Sequence, residues 1–126
     1  MLLPGGMKAI AEAIVRNKDL VLFSHEAIRE LIRVLAYPRI LKFIPPERSG
    51  AFLASLDTFG EKVTVLSEVQ VCRDPNDDHL LALCRDGDAD LLITGDQDLL
   101  VIGSFGKTMI IEPAKYLSDP APWLFR

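Results

Sequence analysis

The sequence contains few features of a secreted or membrane-bound protein. Of its 126 residues only two are cysteines, Cys72 and Cys84, and their spacing matches no zinc or redox motif. Two cysteines alone make no disulfide framework, so we expect reduced thiols. No apolar run approaches the ~20 residues that a transmembrane helix needs, and residues 1–6 have neither the charged start nor the apolar core of a signal peptide. These absences predict a cytoplasmic protein.

The chain also lacks an excess of positive charge. Its formal net charge of -4 argues against a protein that coats nucleic acid through bulk attraction. It does not exclude an enzyme that binds phosphate through a metal. The one basic region spans residues 29–48, and its cations are Arg29, Arg33, Arg39, Lys42 and Arg48. This region could steer a polyanion, but a solvated helical surface explains it equally well.

The composition that remains is that of one globular domain over residues 1–126. Apolar residues make up 49% of the chain and charged residues 25%. Helical and strand patterns alternate with short connections, which favours an α/β fold with helical crossovers. The predicted strands are residues 20–23, 63–66, 91–93 and 109–111. The predicted helices are residues 7–18, Ser24 to just before Pro38, Pro45 to Gly60, a helix opening at Asp78, and residues 113–117.

Acidic residues flank two neighbouring elements of this pattern. Asp78 opens a predicted helix, and Asp96 and Asp98 directly follow the predicted strand 91–93. In an open α/β sheet, ligands bind at the carboxyl ends of the strands. Carboxylates from these two loops could therefore converge at one sheet edge.

Carboxylates that converge favour a hard cation between them. Ligation by oxygen alone suits Mg²⁺ or Mn²⁺ rather than Zn²⁺. A structural role is equally open at this point, because Asp often caps helices and Asp96 and Asp98 are also typical turn residues. Glu30 is spaced on a predicted helix to pair with Arg33, and the residues alone favour that ion pair.

Several segments, in this order and spacing, resemble PIN-domain proteins, in particular the toxins of toxin–antitoxin systems. The segments are SHEAIREL, YPRI, CRDPNDDHLLALC, ADLLITGDQDLL and the closing Ile-Ile-Glu-Pro. The resemblance covers nearly the whole chain. It implies a three-layer α/β/α fold with a mostly parallel sheet, and it implies a metal-dependent ribonuclease.

The resemblance also implies roles for individual residues. By position, Glu30 is similar to the helical acid of the family, Asp78 to the acid that opens the next site helix, and Asp96 to the acid after the T-G-D strand. Asp98 resembles the additional acid of that loop, and Thr94 its hydroxyl neighbour. These four acids would be the catalytic and metal-binding residues for Mg²⁺ or Mn²⁺. The implied partners are an RNA substrate, a cognate antitoxin and a second copy of the chain.

The resemblance departs from the family at the start of the chain. PIN proteins begin with an apolar strand that ends in an Asp within a D-T-N-like motif, whereas residues 1–6 resemble the segment that comes after that motif. We therefore expect the first strand and the first acid to be missing, with weaker metal binding as a result. The sheet would then be closed either by its flanking strands or by a homodimer partner.

Two alternative functions stay open. The first is a catalytically inactive PIN-like module that binds an antitoxin through an apolar groove between the helices near residues 7–18 and 27–35. The second is a magnesium-dependent phosphatase or phosphoacceptor domain. That domain would require an Asp-led nucleophile motif after the first strand, and the sequence has none, so it ranks last.

Overall fold

The structure is a computed structural model that describes residues 10–118, apart from Ala11, Val15 and Phe43. The helices are α1 (His25–Leu35), α2 (Pro38–Leu41), α3 (Pro46–Phe59), α4 (Asp78–Asp86), α5 (Gln97–Leu100) and α6 (Pro113–Leu117), with a 3₁₀ turn at Pro75–Asp77. The strands are β1 (Val21–Phe23), β2 (Gly60–Lys62), β3 (Leu91–Ile93), β4 (Ser104–Phe105) and β5 (Thr108–Ile111). Of the predicted helix 7–18, residues 10, 12–14, 16 and 17 are helical, and the rest lie outside the described residues or in the turn at Lys18–Asp19.

The strands in the described part of the chain form two sheets. β1 pairs with β2 in parallel, and β3 pairs with β5 in parallel. The short β4 adds to β5 as an antiparallel edge strand. The α/β class predicted from the sequence is confirmed, and the crossover pairs are parallel as expected. Among these described residues, no helix is long and apolar enough to cross a membrane.

Local signals explain where α1 begins and ends. The buried hydroxyl of Ser24 accepts a hydrogen bond from the backbone N–H of Ala27 at 3.0 Å, which caps the first turn. The helix ends at Leu35, three residues before Pro38. Pro38 then begins α2, because a proline is tolerated in the first turn of a helix.

The predicted strand at residues 63–66 is wrong, since β2 lies earlier, at Gly60–Lys62. A Cβ at Gly60 would lie 2.6 Å from the carbonyl oxygen of Leu56 and 2.9 Å from Cε1 of Phe23. Glycine therefore allows β2 to start directly after α3. The backbone N–H groups of Leu66 and Ser67 donate instead to the carboxylate of Asp86, at 2.6 and 2.8 Å. The Asp86 carboxylate thus accepts hydrogen bonds from backbone N–H groups that a longer strand would use for pairing.

Helix α4 contacts both sheets. Its buried residues Leu81 and Ala82 pack with Ile110 of β5, whereas Gly87, which follows the helix, lies against Leu22 of β1. Between β1 and β3 lies a groove of about 440 Å³. The flanking strands have therefore not closed up into one sheet within the described residues. The expected absence of a first strand concerns residues 1–6, which lie outside those residues, and stays a prediction.

The other face of β3 and β5 forms a second core. Leu91, Ile93 and Met109 pack against Ile10 and Ala13 of the N-terminal helical residues, together with Ile111 and the buried Tyr116 of α6. Both faces of this sheet are thus covered by helical residues. This packing fixes β3, and with it the loop that carries Asp96.

Candidate metal site

The chain path brings the start of α4 to the carboxyl end of β3. Only residues 87–90 connect α4 to β3, so the helix runs back along the strand in the opposite direction. The 3₁₀ turn at Pro75–Asp77 therefore lies at the same edge as the loop after Ile93. The sequence pattern predicts Asp78, Asp96 and Asp98 at this edge.

Asp77 is the acid whose environment is most affected by this convergence. Its pKa is raised by partial burial, by the negative charges of Asp96, Asp74 and Glu30, and by a side-chain hydrogen bond to Asp96. The charges of carboxylates from α1, from the 3₁₀ turn and from the loop after β3 therefore all act on Asp77. The sequence had not singled out Asp77. The signal was present in the adjacent pair Asp77-Asp78, but side-chain direction at a helix start cannot be deduced from spacing alone.

Asp78 faces the backbone of the preceding loop. Its Oδ1 accepts hydrogen bonds from the N–H groups of Cys72 and Val71, at 2.8 and 3.1 Å. These bonds, led by the one from Cys72, hold the pKa of the Asp78 carboxyl below its usual range. In this conformation Asp78 anchors residues 71 and 72 to the start of α4. Its assignment as a metal ligand stays a prediction.

Asp96 is held by its own loop. Its Oδ1 accepts the backbone N–H of Asp98 at 2.8 Å and so caps α5, while its own N–H donates to Oγ1 of Thr94 at 3.1 Å. The side chain of Asp98 is 39% exposed and lies 3.9 Å from Nη1 of Arg73, an exposed and weak ion pair. Thr94 and Asp98 thus fix the position of Asp96.

Glu30 pairs with a histidine rather than with Arg33. Its Oε2 lies 2.7 Å from Nε2 of His79, and the His79 side chain is only 11% exposed. His79 lies on α4, 49 positions along the chain from Glu30. No local pattern could have found it, because the contact exists only once α1 packs on α4.

The thiol next to the acids is not a nucleophile at neutral pH. Burial raises the pKa of Cys72 to about 12, with further contributions from Asp78, Asp77 and Asp96. Burial likewise raises the pKa of Cys84 to about 11. Both cysteines are free in this structure. The donors at this edge are therefore carboxylate oxygens.

An oxygen donor set of this kind suits Mg²⁺ or Mn²⁺. Partial burial and then the negative charges of Asp96, Asp74 and Glu30 raise the pKa of Asp77, and a divalent cation would neutralise those charges. Within the residues that the structure describes, however, no three His, Cys, Asp or Glu side chains form a group placed to hold a metal ion. The chemistry of the acids fits a hard cation.

The fold and this acidic edge define an α/β protein with carboxylates at the carboxyl end of a parallel strand. The profile of the PIN domain matches residues 2–98, and the chain therefore belongs to the PIN-domain family. PIN domains are generally metal-dependent nucleases. Neither a curated protein nor a solved structure matches the chain.

Proposed function

We propose that this protein is a Mg²⁺- or Mn²⁺-dependent endoribonuclease with the three-layer α/β/α arrangement of its family. The observation that carries the proposal is the chain path: residues 87–90 return the chain from α4 to β3, which brings the turn with Asp77 to the edge where Asp96 follows β3. The contact of Glu30 with His79 links α1 to the start of α4. The raised pKa of Asp77, caused by partial burial and then by the charges of Asp96, Asp74 and Glu30, supports this arrangement. Membership in a family of nucleases supports RNA hydrolysis as the reaction.

Each site residue would have its own role. Glu30, Asp77 and Asp96 would hold the cation. Asp78 would join them after its side chain turns away from the backbone of residues 71 and 72. Asp98 would support the loop that carries Asp96. A bound ion supplies an activated water and stabilises the charge that develops on phosphate oxygens. No protein nucleophile is needed, in agreement with the protonated thiol of Cys72.

Exposed cations on α1 and α2 would bind the RNA backbone. Arg29 and Arg33 of α1 and Arg39 of α2 are exposed to solvent, and α1 also carries Glu30. Cations beside a metal site raise the local concentration of a polyanion even when the whole chain is acidic. The substrate would thus be gathered locally and not by net charge.

We further propose that the chain acts in the cytoplasm as the toxin of a toxin–antitoxin system, as a homodimer neutralised by a cognate antitoxin. The segments that resemble such toxins support this role. Expression of the parent should arrest growth, whereas an Asp96→Asn variant at the same level should not. Analytical ultracentrifugation should give twice the 14.0 kDa mass of one chain. Equal growth arrest by both forms, or a monomer at micromolar concentration, would contradict these proposals.

A catalytically inactive module that binds an antitoxin is the second candidate. It is favoured by the bonds that turn Asp78 toward residues 71 and 72 and by the lack of a three-residue ligand group in the described part. The two candidates differ in one outcome. The inactive module would bind its partner without cutting RNA at any Mg²⁺ or Mn²⁺ concentration.

The decisive test is cleavage of a labelled RNA by the parent and by Asp96→Asn. We expect the variant to lose at least about 100-fold in rate, since losing even an outer partner of a metal ligand typically costs 10–100-fold. Asp57→Asn is the matched control, because Asp57 is an exposed acid on α3. It should cleave like the parent, and EDTA should abolish both activities. Cleavage that survives EDTA, or an Asp96→Asn variant as active as the parent, would show that this site is not responsible.

A further inference from the structure

The contact between Glu30 and His79 joins two elements that both contribute to the acidic edge. Glu30 lies on α1, and His79 lies on α4 directly after Asp77 and Asp78. Their side chains meet at 2.7 Å, a short distance for a nitrogen–oxygen hydrogen bond and typical of a charge-assisted one. The position of the Glu30 carboxylate is therefore set by a residue of the neighbouring helix.

The second ring nitrogen of His79, Nδ1, argues against a role in packing alone. Nδ1 is buried and has no hydrogen-bond partner in the described structure. A buried polar atom without a partner is destabilising, and an apolar side chain of similar size would avoid that penalty. In natural proteins, violations of such local rules are expected at functional or strained sites.

We propose that His79 is a positioning residue that donates from Nε2–H to Oε2 of Glu30 and thereby holds this carboxylate among the site acids. The inference rests on the proposed metal-dependent function and adds a residue to it. An unrestrained Glu30 side chain would be free to turn toward solvent, to which it is already 37% exposed. The hydrogen bond from His79 holds it against the first turn of α4, directly after Asp77 and Asp78. One carboxylate oxygen of Glu30 then remains for a cation.

The test measures Mn²⁺ binding by isothermal titration calorimetry, which does not depend on activity. His79→Leu removes the donor and keeps an apolar body, and we expect it to weaken Mn²⁺ binding by roughly 10–100-fold. His79→Gln retains an N–H donor at similar reach and should recover binding to within about threefold of the parent. His25→Leu is the matched control, because His25 is the other histidine of the chain and is exposed at the start of α1.

A double-mutant cycle separates positioning from general structural support. In a Glu30→Ala background, His79→Leu should have no further effect on Mn²⁺ binding, because His79 acts only through Glu30. An equal loss in both backgrounds would show that His79 merely supports the fold and would overturn the inference, as would unchanged binding by His79→Leu. If His79→Leu does not fold, His79→Asn replaces it, since its shorter amide cannot reach Oε2.

Failure of the proposed function gives a different pattern. If the parent binds no Mn²⁺, or if Asp96→Asn binds it as tightly as the parent, the metal site itself is refuted and the inference is refuted with it. If Asp96→Asn abolishes binding while His79→Leu leaves it intact, only the positioning role is refuted.

Discussion

At the scale of single residues, two neighbouring aspartates at the start of α4 have pKa values shifted in opposite directions. Asp77 lies among other acids, and its pKa is raised. Asp78 accepts backbone N–H groups, and its pKa is lowered. Asp77 is thus suited to bind a cation, whereas Asp78 stabilises the loop that precedes it.

The two residues should respond in opposite directions to loss of charge. A carboxyl whose pKa is higher in the folded state makes stability fall as the pH rises through its titration range. Asp77→Asn should therefore raise the melting temperature at pH 7 in EDTA, by about 2 °C for a partly exposed group, while it weakens Mn²⁺ binding.

Asp78→Asn should lower the melting temperature at pH 7. The difference in melting temperature from the parent should shrink as the pH falls and the parent carboxyl is protonated. Calorimetric melting across pH 3–8 measures both effects, and an Asp77→Asn variant that is less stable than the parent would contradict the shared environment of the acids.

The sequence could place acids at one edge but could not orient them. Asp96 follows a strand and Asp78 opens a helix, so their approximate location follows from local pattern. The direction of the Asp78 carboxylate depends on the N–H groups of Val71 and Cys72, which lie in a loop without a periodic pattern. The pairing of Glu30 with His79 depends on how α1 packs on α4. Tertiary contacts of this kind leave no trace in local spacing.

At the scale of elements, those with strong local signals were predicted and those that depend on close packing were not. β3 and α6 have the predicted bounds, and α1 begins directly after the predicted cap, Ser24. β2 lies earlier in the chain than predicted, because only a glycine permits the close approach of residue 60 to Leu56 and Phe23. β4 has only two residues, too few for any alternation to be visible. Its turn includes Gly106, at a positive φ of 59°.

The cap of α1 should matter for stability because this helix carries Glu30. Ser24→Ala removes the acceptor for the Ala27 N–H, and we expect it to lower the free energy of unfolding by about 1 kcal/mol. Ser49→Ala on α3 is the control. The Ser49 hydroxyl donates to the Pro45 carbonyl oxygen over a long distance of 3.5 Å, and this exposed hydrogen bond is weak. It should change stability by less than about 0.5 kcal/mol. Urea titrations compare the two, and equal losses would show that the Ser24 cap contributes nothing specific.

At the scale of the whole molecule, the α/β class followed from the alternation of elements, but the division of the described strands into two sheets did not. Pattern identifies strands, whereas the partner of each strand depends on contacts distant in sequence. Since β1 and β3 do not pair, the two sheets are joined through α4, whose one end contacts β1 and whose buried face contacts β5. The acids depend on the same connection, because Glu30 follows β1 and Asp96 follows β3.

This connection can be tested at Gly87, where α4 meets β1. A Cβ there would lie 2.8 Å from Cδ1 of Leu22, 3.0 Å from the Leu83 carbonyl oxygen and 3.1 Å from Cγ2 of Val63. Gly87→Ala should therefore push the β1–β2 sheet away from α4 and destabilise the protein by about 1–2 kcal/mol. Gly50→Ala is the matched control, because Gly50 lies within α3 and, beyond its chain neighbours and the nearby backbone of that helix, no atom of the described residues lies within 4 Å of the added carbon. It should instead stabilise the protein by about 0.5–1 kcal/mol.

The location of the damage distinguishes this explanation from simple overpacking. Hydrogen exchange should accelerate more at the amides of β1 than at those of β3 in Gly87→Ala, because β3 keeps its packing against Leu81 and Ile110. Mn²⁺ binding should weaken in the same variant, since Glu30 moves with β1 and α1 while Asp96 stays with β3. If exchange rises equally in both sheets and Mn²⁺ binding is unchanged, the two sheets are joined by other contacts and the site does not depend on this one.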